Sequence, residues 1–182
     1  IGIKHSNYKY IAFLDSDDRW LKNKLKIQIK QMSIKNLKFS HTSYFITDTK
    51  GQVKSKRKAK KILKYKNLVR SCDIGLSTVM VENKFLKRNN LFFPNISTKE
   101  DYILWLGIIK NIKTLAGLNQ YLTFYRNTPG SLSSNILRNI KNGYLVYYKY
   151  MKFSFFKSIF CLSNLSFNFL KKKLYENFNS YK

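Results

Sequence analysis

Three aspartates stand within four positions, Asp15, Asp17 and Asp18, directly after the apolar run Tyr10-Ile-Ala-Phe-Leu14. Together with the adjacent pair Glu100-Asp101 they make up five of the nine acidic residues in a chain that carries 35 Lys and Arg. Such crowding is not what random scatter gives. A short apolar run that stops at charge reads as a buried strand, the kind found inside a mostly parallel sheet. Ligands of open α/β sheets bind outside the carboxyl ends of strands. Packed carboxylates repel one another unless a positive charge lies between them. A divalent cation with oxygen preference, Mg²⁺ or Mn²⁺, supplies that charge. A second reading stays open, in which Asp17 or Asp18 caps the following helix; it accounts for one aspartate, not three. Glu100 and Asp101 open a helical stretch. Acids favour the first turn of a helix, and a partly buried carboxylate there also suits a general base.

The rest of the chain alternates helical and strand patterns, which favours α/β. Residues 20–33 place Leu21, Leu25, Ile29 and Met32 at helical spacing between lysines, predicting an amphipathic helix on a sheet. Residues 39–46 and 76–81 read as strands, and 49–51 as a turn. Residues 54–66 hold eight Lys/Arg in thirteen positions and read as an exposed loop running into a helix at 62–69. A short helix is expected around 84–88 and a longer one over 100–112. Two short strands are expected at 114–118 and 121–125. The stretch 127–134 is a polar loop, and from 136 onward the pattern is helical and rich in aromatics. Residues 151–170 are too interrupted by Lys and polar groups for a membrane span. They suit ordinary packing or an amphipathic segment lying on a membrane surface.

The formal charge of +26 points toward anionic partners. Its make-up, 29 Lys against 6 Arg, is that of a solvated basic surface, such as an AT-rich genome encodes, more than of a reader of phosphates or bases. Contact with anionic lipid remains an alternative. Cys72 and Cys161 lack metal-ligand spacing and read as reduced, inert thiols in a cytosolic setting. His5 and His41 suggest no local metal site. The chain starts at Ile1 with no signal-peptide pattern, so an N-terminally incomplete protein is expected.

The stretch Tyr-Ile-Ala-Phe-Leu-Asp-Ser-Asp-Asp-Arg-Trp (10–20) resembles the strand and aspartate motif of family 2 glycosyltransferases. Ile1-Gly2-Ile3 is similar to the end of the helix that precedes that strand. Ser77-Thr-Val-Met-Val81 resembles the strand lining the acceptor side, and Lys99-Glu-Asp-Tyr-Ile-Leu-Trp-Leu106 the family's Glu-Asp motif. Phe124-Tyr-Arg-Asn-Thr-Pro-Gly-Ser-Leu-Ser-Ser134 is similar to the loop that closes the family's site. The four motifs keep the family's order. The resemblance covers roughly residues 1–134; the front of the family's nucleotide-binding region, a strand-helix-strand unit, has no counterpart.

The resemblance implies an α/β fold: a partial A-type glycosyltransferase fold with a mostly parallel central sheet flanked by helices. Residues 1–135 would be the catalytic part and 136–182 a helical C-terminal extension. It implies inverting transfer of a sugar from a nucleotide-diphosphate donor to an acceptor hydroxyl, dependent on Mg²⁺ or Mn²⁺, in cell-surface glycan synthesis. Asp15, Asp17 and Asp18 would hold the metal, Asp17 most directly. Asp101 would be the base, with Glu100 second in line or orienting the acceptor. Arg126 would pair with the donor diphosphate, and Ser131, Ser133 and Ser134 would close over it. Trp20 and Trp105 read first as packing and second as pocket walls. The expected partners are a nucleotide sugar and a glycan or lipid-linked acceptor, with peripheral contact at the inner face of the cell membrane and no specific nucleic acid. A nucleic-acid module would need a reading element, and none is legible. A glycoside hydrolase needs two carboxylates but not adjacent aspartates at a strand end. An inactive fragment of a transferase is the third alternative.

Overall fold

The computed structural model describes residues 2–130 and 135–179. In chain order the elements are α1 (Gly2–His5), β1 (Tyr10–Ala12), β2 (Arg19–Trp20), α2 (Lys24–Ile34), β3 (Phe39–Thr47), β4 (Val53–Arg57), β5 (Ile62–Lys64) and α3 (Tyr65–Arg70). A single 3-10 turn (Leu76–Thr78) leads into β6 (Met80–Glu82), α4 (Asn83–Arg88), α5 (Glu100–Ile112) and β7 (Thr114–Arg126). Then come α6 (Ile136–Leu145), a π-helical turn (Val146–Tyr150) and α7 (Phe155–Asn179).

The strands form one sheet in the order β1-β6-β3-β7-β2. Two long strands, β3 and β7, make its centre. The outer side of β3 is shared by β6 at its start and β4 at its end, and that of β7 by β5 and then β2. The α/β class holds. The expected mostly parallel sheet does not: among the described residues only β3 and β7 pair in parallel, over Ser40–Thr47 and Ala116–Arg126. The reason lies in what an apolar run reports. It records burial on both faces, not the direction of the neighbour. β1 and β3 do run the same way, but β6 slots between them antiparallel to both.

Other boundaries moved for local reasons. Arg19 and Trp20 pair with Phe124 and Thr123 instead of opening the helix, which starts at Lys24. The basic stretch is not a loop: β4 pairs with β3 and β5 with β7, while the helix begins only at Tyr65. Lysine on an edge strand is a common guard against pairing with other chains. The two strands expected over 114–125 are one strand, continuous across Gly117 and Asn119 but with register shifts near Thr42/Ser43 and Ser43/Tyr44 of its partner.

Helix α5 is the apolar centre. Tyr102–Leu106, Ile108 and Ile109 are all buried, and Trp105 packs its ring on Phe39 at 5.4 Å and Phe13 at 5.9 Å. Trp105 is therefore core, as its packing reading held. The helices after β7 join the same core through Val146, Tyr147, Met151 and Cys161. A tyrosine pair fixes that junction. Tyr102 Oη donates to the Leu68 carbonyl at 2.8 Å and lies 3.0 Å from Tyr147 Oη, which donates to the Val69 carbonyl at 2.7 Å. The two hydroxyls thus serve carbonyls of the last turn of α3, that of Leu68 also accepting the Ser71 N–H at 3.2 Å.

Candidate active site

The chain leaves β1 and turns sharply at the aspartates, the Asp18 N–H donating back to the Asp15 carbonyl at 3.1 Å. Two contacts hold this loop from outside. The Asp15 N–H donates to Ser77 Oγ at 3.0 Å, and the Ser77 carbonyl accepts Trp20 Nε1 at 2.7 Å and the Thr123 hydroxyl at 3.3 Å. Ser77 is buried, so one residue of the 3-10 turn ties the aspartate loop, Trp20 and β7 together. Trp20 acts there as a positioning side chain.

The second contact comes from the end of β7. The Arg126 N–H donates to Asp18 Oδ1 at 2.8 Å, and the Thr128 hydroxyl donates to Asp17 Oδ2 at 3.1 Å. Asp18 is 7% exposed, and its Oδ2 has no hydrogen-bond partner among the described residues. Burial pushes the Asp18 carboxyl up, Asp17 adds to this, and the Ser77 hydroxyl, the Arg126 N–H and the Arg126 charge oppose it.

The two acidic clusters, more than eighty positions apart in sequence, lie near enough for Asp15 to feel the charge of Glu100 and Asp101 to feel that of Asp15. Asp15 is pushed up to about 6, first by burial, then by Asp18, Asp17 and Glu100. Asp101 is likewise pushed up to about 6 by burial and Glu100, with Asp15 adding; the Tyr102 N–H and the Lys99 charge pull it back. Asp101 Oδ1 accepts that N–H at 2.6 Å. Lys99 precedes α5 with φ 73°, a left-handed conformation that costs a non-glycine residue about 1 kcal/mol, and it delivers the chain into the helix at this acidic pair.

The sequence reading gave Tyr125 no role, although it lay inside a quoted motif. Its ring packs on Tyr44 at 6.0 Å, and its hydroxyl is held neutral by burial and by Asp18, Asp15, Asp17 and Asp101 together. Ser131, Ser133 and Ser134 lie outside the described residues.

Among the described residues, no three His, Cys, Asp or Glu side chains converge on a ready-made metal cage. The chemistry of this acidic site nevertheless suits a divalent cation. The site holds an orphaned buried carboxylate oxygen on Asp18 and a carboxyl on Asp15 raised by like charge, both marks of surplus negative potential. Mg²⁺ is usually held by one or two carboxylates plus substrate phosphates, which needs no complete protein cage. The two cysteines are not part of this chemistry. Burial pushes the Cys72 thiol up to about 12, with Asp101 adding, and raises Cys161 as well, so both are protonated at neutral pH. His41 is buried in β3 and pushed down to about 4, and His5 is exposed at the end of α1.

The mixed sheet thus brings the carboxylates at the end of β1 close to the end of β7 and within reach of the charges that open α5. The profile of "Glycosyl transferase family 2" matches residues 1–92. The chain is 32% identical over 174 residues to TuaG of Bacillus subtilis, a glycosyltransferase named for teichuronic acid biosynthesis, covering 95% of this chain and 68% of that one. It is 36% identical over 142 residues to the UDP-Glc:alpha-D-GlcNAc-diphosphoundecaprenol beta-1,3-glucosyltransferase WfgD of Escherichia coli, covering 77% of this chain and 54% of that one. Its fold is similar to that of S. aureus TarS residues 1–349, crystallised with UDP-GlcNAc. That match has a TM-score of 0.57 at 17% identity, over 79% of this chain and 42% of the other. The chain belongs to glycosyl transferase family 2. It spans 68% of TuaG and about half of WfgD.

Proposed function

We propose that this chain carries the catalytic carboxylates of an enzyme that transfers a sugar, with inversion, from a nucleoside-diphosphate donor to a hydroxyl of a lipid-linked glycan. Cell-surface polysaccharide synthesis is the setting, and the inner face of the membrane the place. The observation that carries this reading is the electrostatic coupling of Asp15 with Glu100 and Asp101, together with the Arg126 N–H bond that ties the end of β7 to the aspartate loop. TuaG and WfgD, both named as glycosyltransferases, support the reaction class, and TarS with its UDP-GlcNAc supports the donor class.

In this scheme Asp15 and Asp17 would hold a divalent cation, with Asp18 adding to the negative potential beside them. The bound cation supplies neutralisation of the negative charge on the donor diphosphate. Arg126 pairs with that diphosphate, for which a planar guanidinium is geometrically suited. Asp101 accepts the proton of the acceptor hydroxyl. The freed oxygen forms its bond to the anomeric carbon from the face opposite the leaving group, and the carbon–oxygen bond to the diphosphate breaks with its electron pair. A carboxyl raised to about 6 is ionised at neutral pH yet basic enough to help, which suits the task. Glu100 keeps Asp101 basic and orients the acceptor.

The test is release of nucleoside diphosphate from nucleotide sugars by the full-length protein, with a polyprenyl-diphosphate-linked sugar as acceptor. Transfer that needs both acceptor and Mg²⁺ or Mn²⁺ is expected. An absence of acceptor-dependent release across the common UDP-sugars would overturn the reading.

A further inference from the structure

The helices after β7 present an apolar surface that no other described residue covers. α7 is two-sided. Ser158, Cys161, Leu165, Asn168 and Lys172, spaced by three and four, turn toward the body: Ser158 and Cys161 are buried, Asn168 Nδ2 donates to the Arg70 carbonyl at 3.1 Å, and Lys172 pairs with Asp73. At about 3.6 residues per turn, the nearly opposite side carries Phe156, Phe160, Phe167, Leu170 and Leu174. These are 81%, 62%, 68%, 57% and 60% exposed. On α6 and the π-helical turn, Ile136, Leu137, Ile140 and Tyr148 are exposed as well.

The two stripes are continuous. Tyr148 stacks on Tyr144 at 5.3 Å, Tyr144 meets the Phe155 ring at 6.3 Å, and Phe155 packs edge-on to Phe156 at 5.5 Å. Lys141, Lys149, Lys152 and Lys157 stand exposed among these residues. The sequence has no Asp or Glu between Asp101 and Glu176. An exposed apolar patch of this extent marks an interaction site, and its rim is purely cationic.

We propose that the α6–α7 face docks on an anionic lipid bilayer, its aromatic and aliphatic side chains at the boundary between headgroups and acyl chains and its lysines at the headgroup phosphates. Charge decides among occupants. A second copy would set one acid-free lysine rim against another. A nucleic acid would satisfy the lysines but leave Ile136, Leu137, Ile140 and Ile159 in water. A lipid surface satisfies both. No described helix is long and apolar enough to cross a membrane, so the contact is peripheral. The proposal deepens the lipid-linked acceptor reading, since a docked face would bring the site to its acceptor, but the docking itself does not depend on catalysis.

Vesicle co-sedimentation of the full chain tests it. Phosphatidylcholine vesicles with roughly 30% phosphatidylglycerol should bind it, pure phosphatidylcholine should bind weakly, and about 0.5 M salt should reduce the anionic binding. The double variant Phe156→Ser/Phe160→Ser should lose about tenfold in affinity. Its melting temperature should stay near that of the parent, because both rings are solvent-exposed. A Lys141, Lys149, Lys152 and Lys157→Gln variant should lose the preference for anionic vesicles. Undiminished vesicle binding by the double variant, or no binding to the anionic vesicles, overturns the proposal. So does a concentration-dependent dimer in sedimentation velocity that Phe156→Ser/Phe160→Ser abolishes while vesicles do not bind. Vesicle binding without any sugar transfer would instead overturn the transferase reading and leave the docking face standing.

Discussion

The backbone N–H of Arg126 donates to Asp18 Oδ1 at 2.8 Å, across 108 positions of chain. One hydrogen bond therefore fixes the aspartate loop to the end of the strand that carries the arginine. Asp18 Oδ1 is satisfied by this bond, while the buried Oδ2 has no hydrogen-bond partner among the described residues.

Asp18→Ala should accordingly damage stability and activity together. Leaving the part-buried Arg126 N–H without its acceptor costs about 1 kcal/mol. Asp18→Asn keeps an acceptor oxygen and should recover most of that loss in urea denaturation, while still transferring sugar poorly. Equal stability of the two variants would mean that Asp18 is not a clamp.

Asp101→Asn should abolish transfer and leave donor binding within about twofold, because the amide keeps the shape and loses the base. In the parent enzyme, kcat/KM should fall on the acid side with an apparent pKa near the value of about 6 to which burial and Glu100 raise Asp101. The sign follows from the role: the base works ionised, so activity is present above that pH and lost as pH drops through it. Near-normal turnover of the Asn variant would remove Asp101 from the role.

Chelation should stop turnover, and Mn²⁺ or Mg²⁺ should restore it. Asp17→Asn should raise the cation concentration needed for half-maximal rate by about tenfold or more. Activity indifferent to both EDTA and Asp17→Asn would remove the cation from the mechanism.

Lys24 makes a separate prediction. It is fully buried, its Nζ donating to Gln28 Oε1 at 2.6 Å and lying 4.2 Å from the Trp20 ring centroid. Burial pushes the ammonium down to about 7, below its value of about 10.4 in an unfolded chain. Between these values the unfolded chain binds a proton that the folded chain does not. Stability is therefore full above about pH 10, falls as pH drops, and levels off below about pH 7. Lys24→Met should flatten this slope, a difference on the order of a few kcal/mol across the window. Parallel slopes in guanidinium denaturation at three pH values would refute it.

How far the sequence was legible depended on the length over which each signal ran. The α5 helix was readable to its ends because Glu100-Asp101 mark its start and thirteen residues show its period. The carboxylate clusters stood out because acids are rare in this chain. Arg19-Trp20 was hidden because a two-residue strand has no period to detect. β4 and β5 were hidden because their outward lysines mask the alternation. Ser77 in a short turn and Tyr125 on β7 carry no pattern that separates a site residue from its neighbours. Their roles exist only once Asp15, Trp20 and Thr123, or the four aspartates, are folded around them.

The shared hydroxyls of Tyr102 and Tyr147 have a consequence for where the enzyme ends. Tyr102 follows Asp101 directly, so the neighbour of the proposed base is pinned by a side chain from the helical tail. Cutting the protein before α6 would blunt the site while leaving every one of its acids in place.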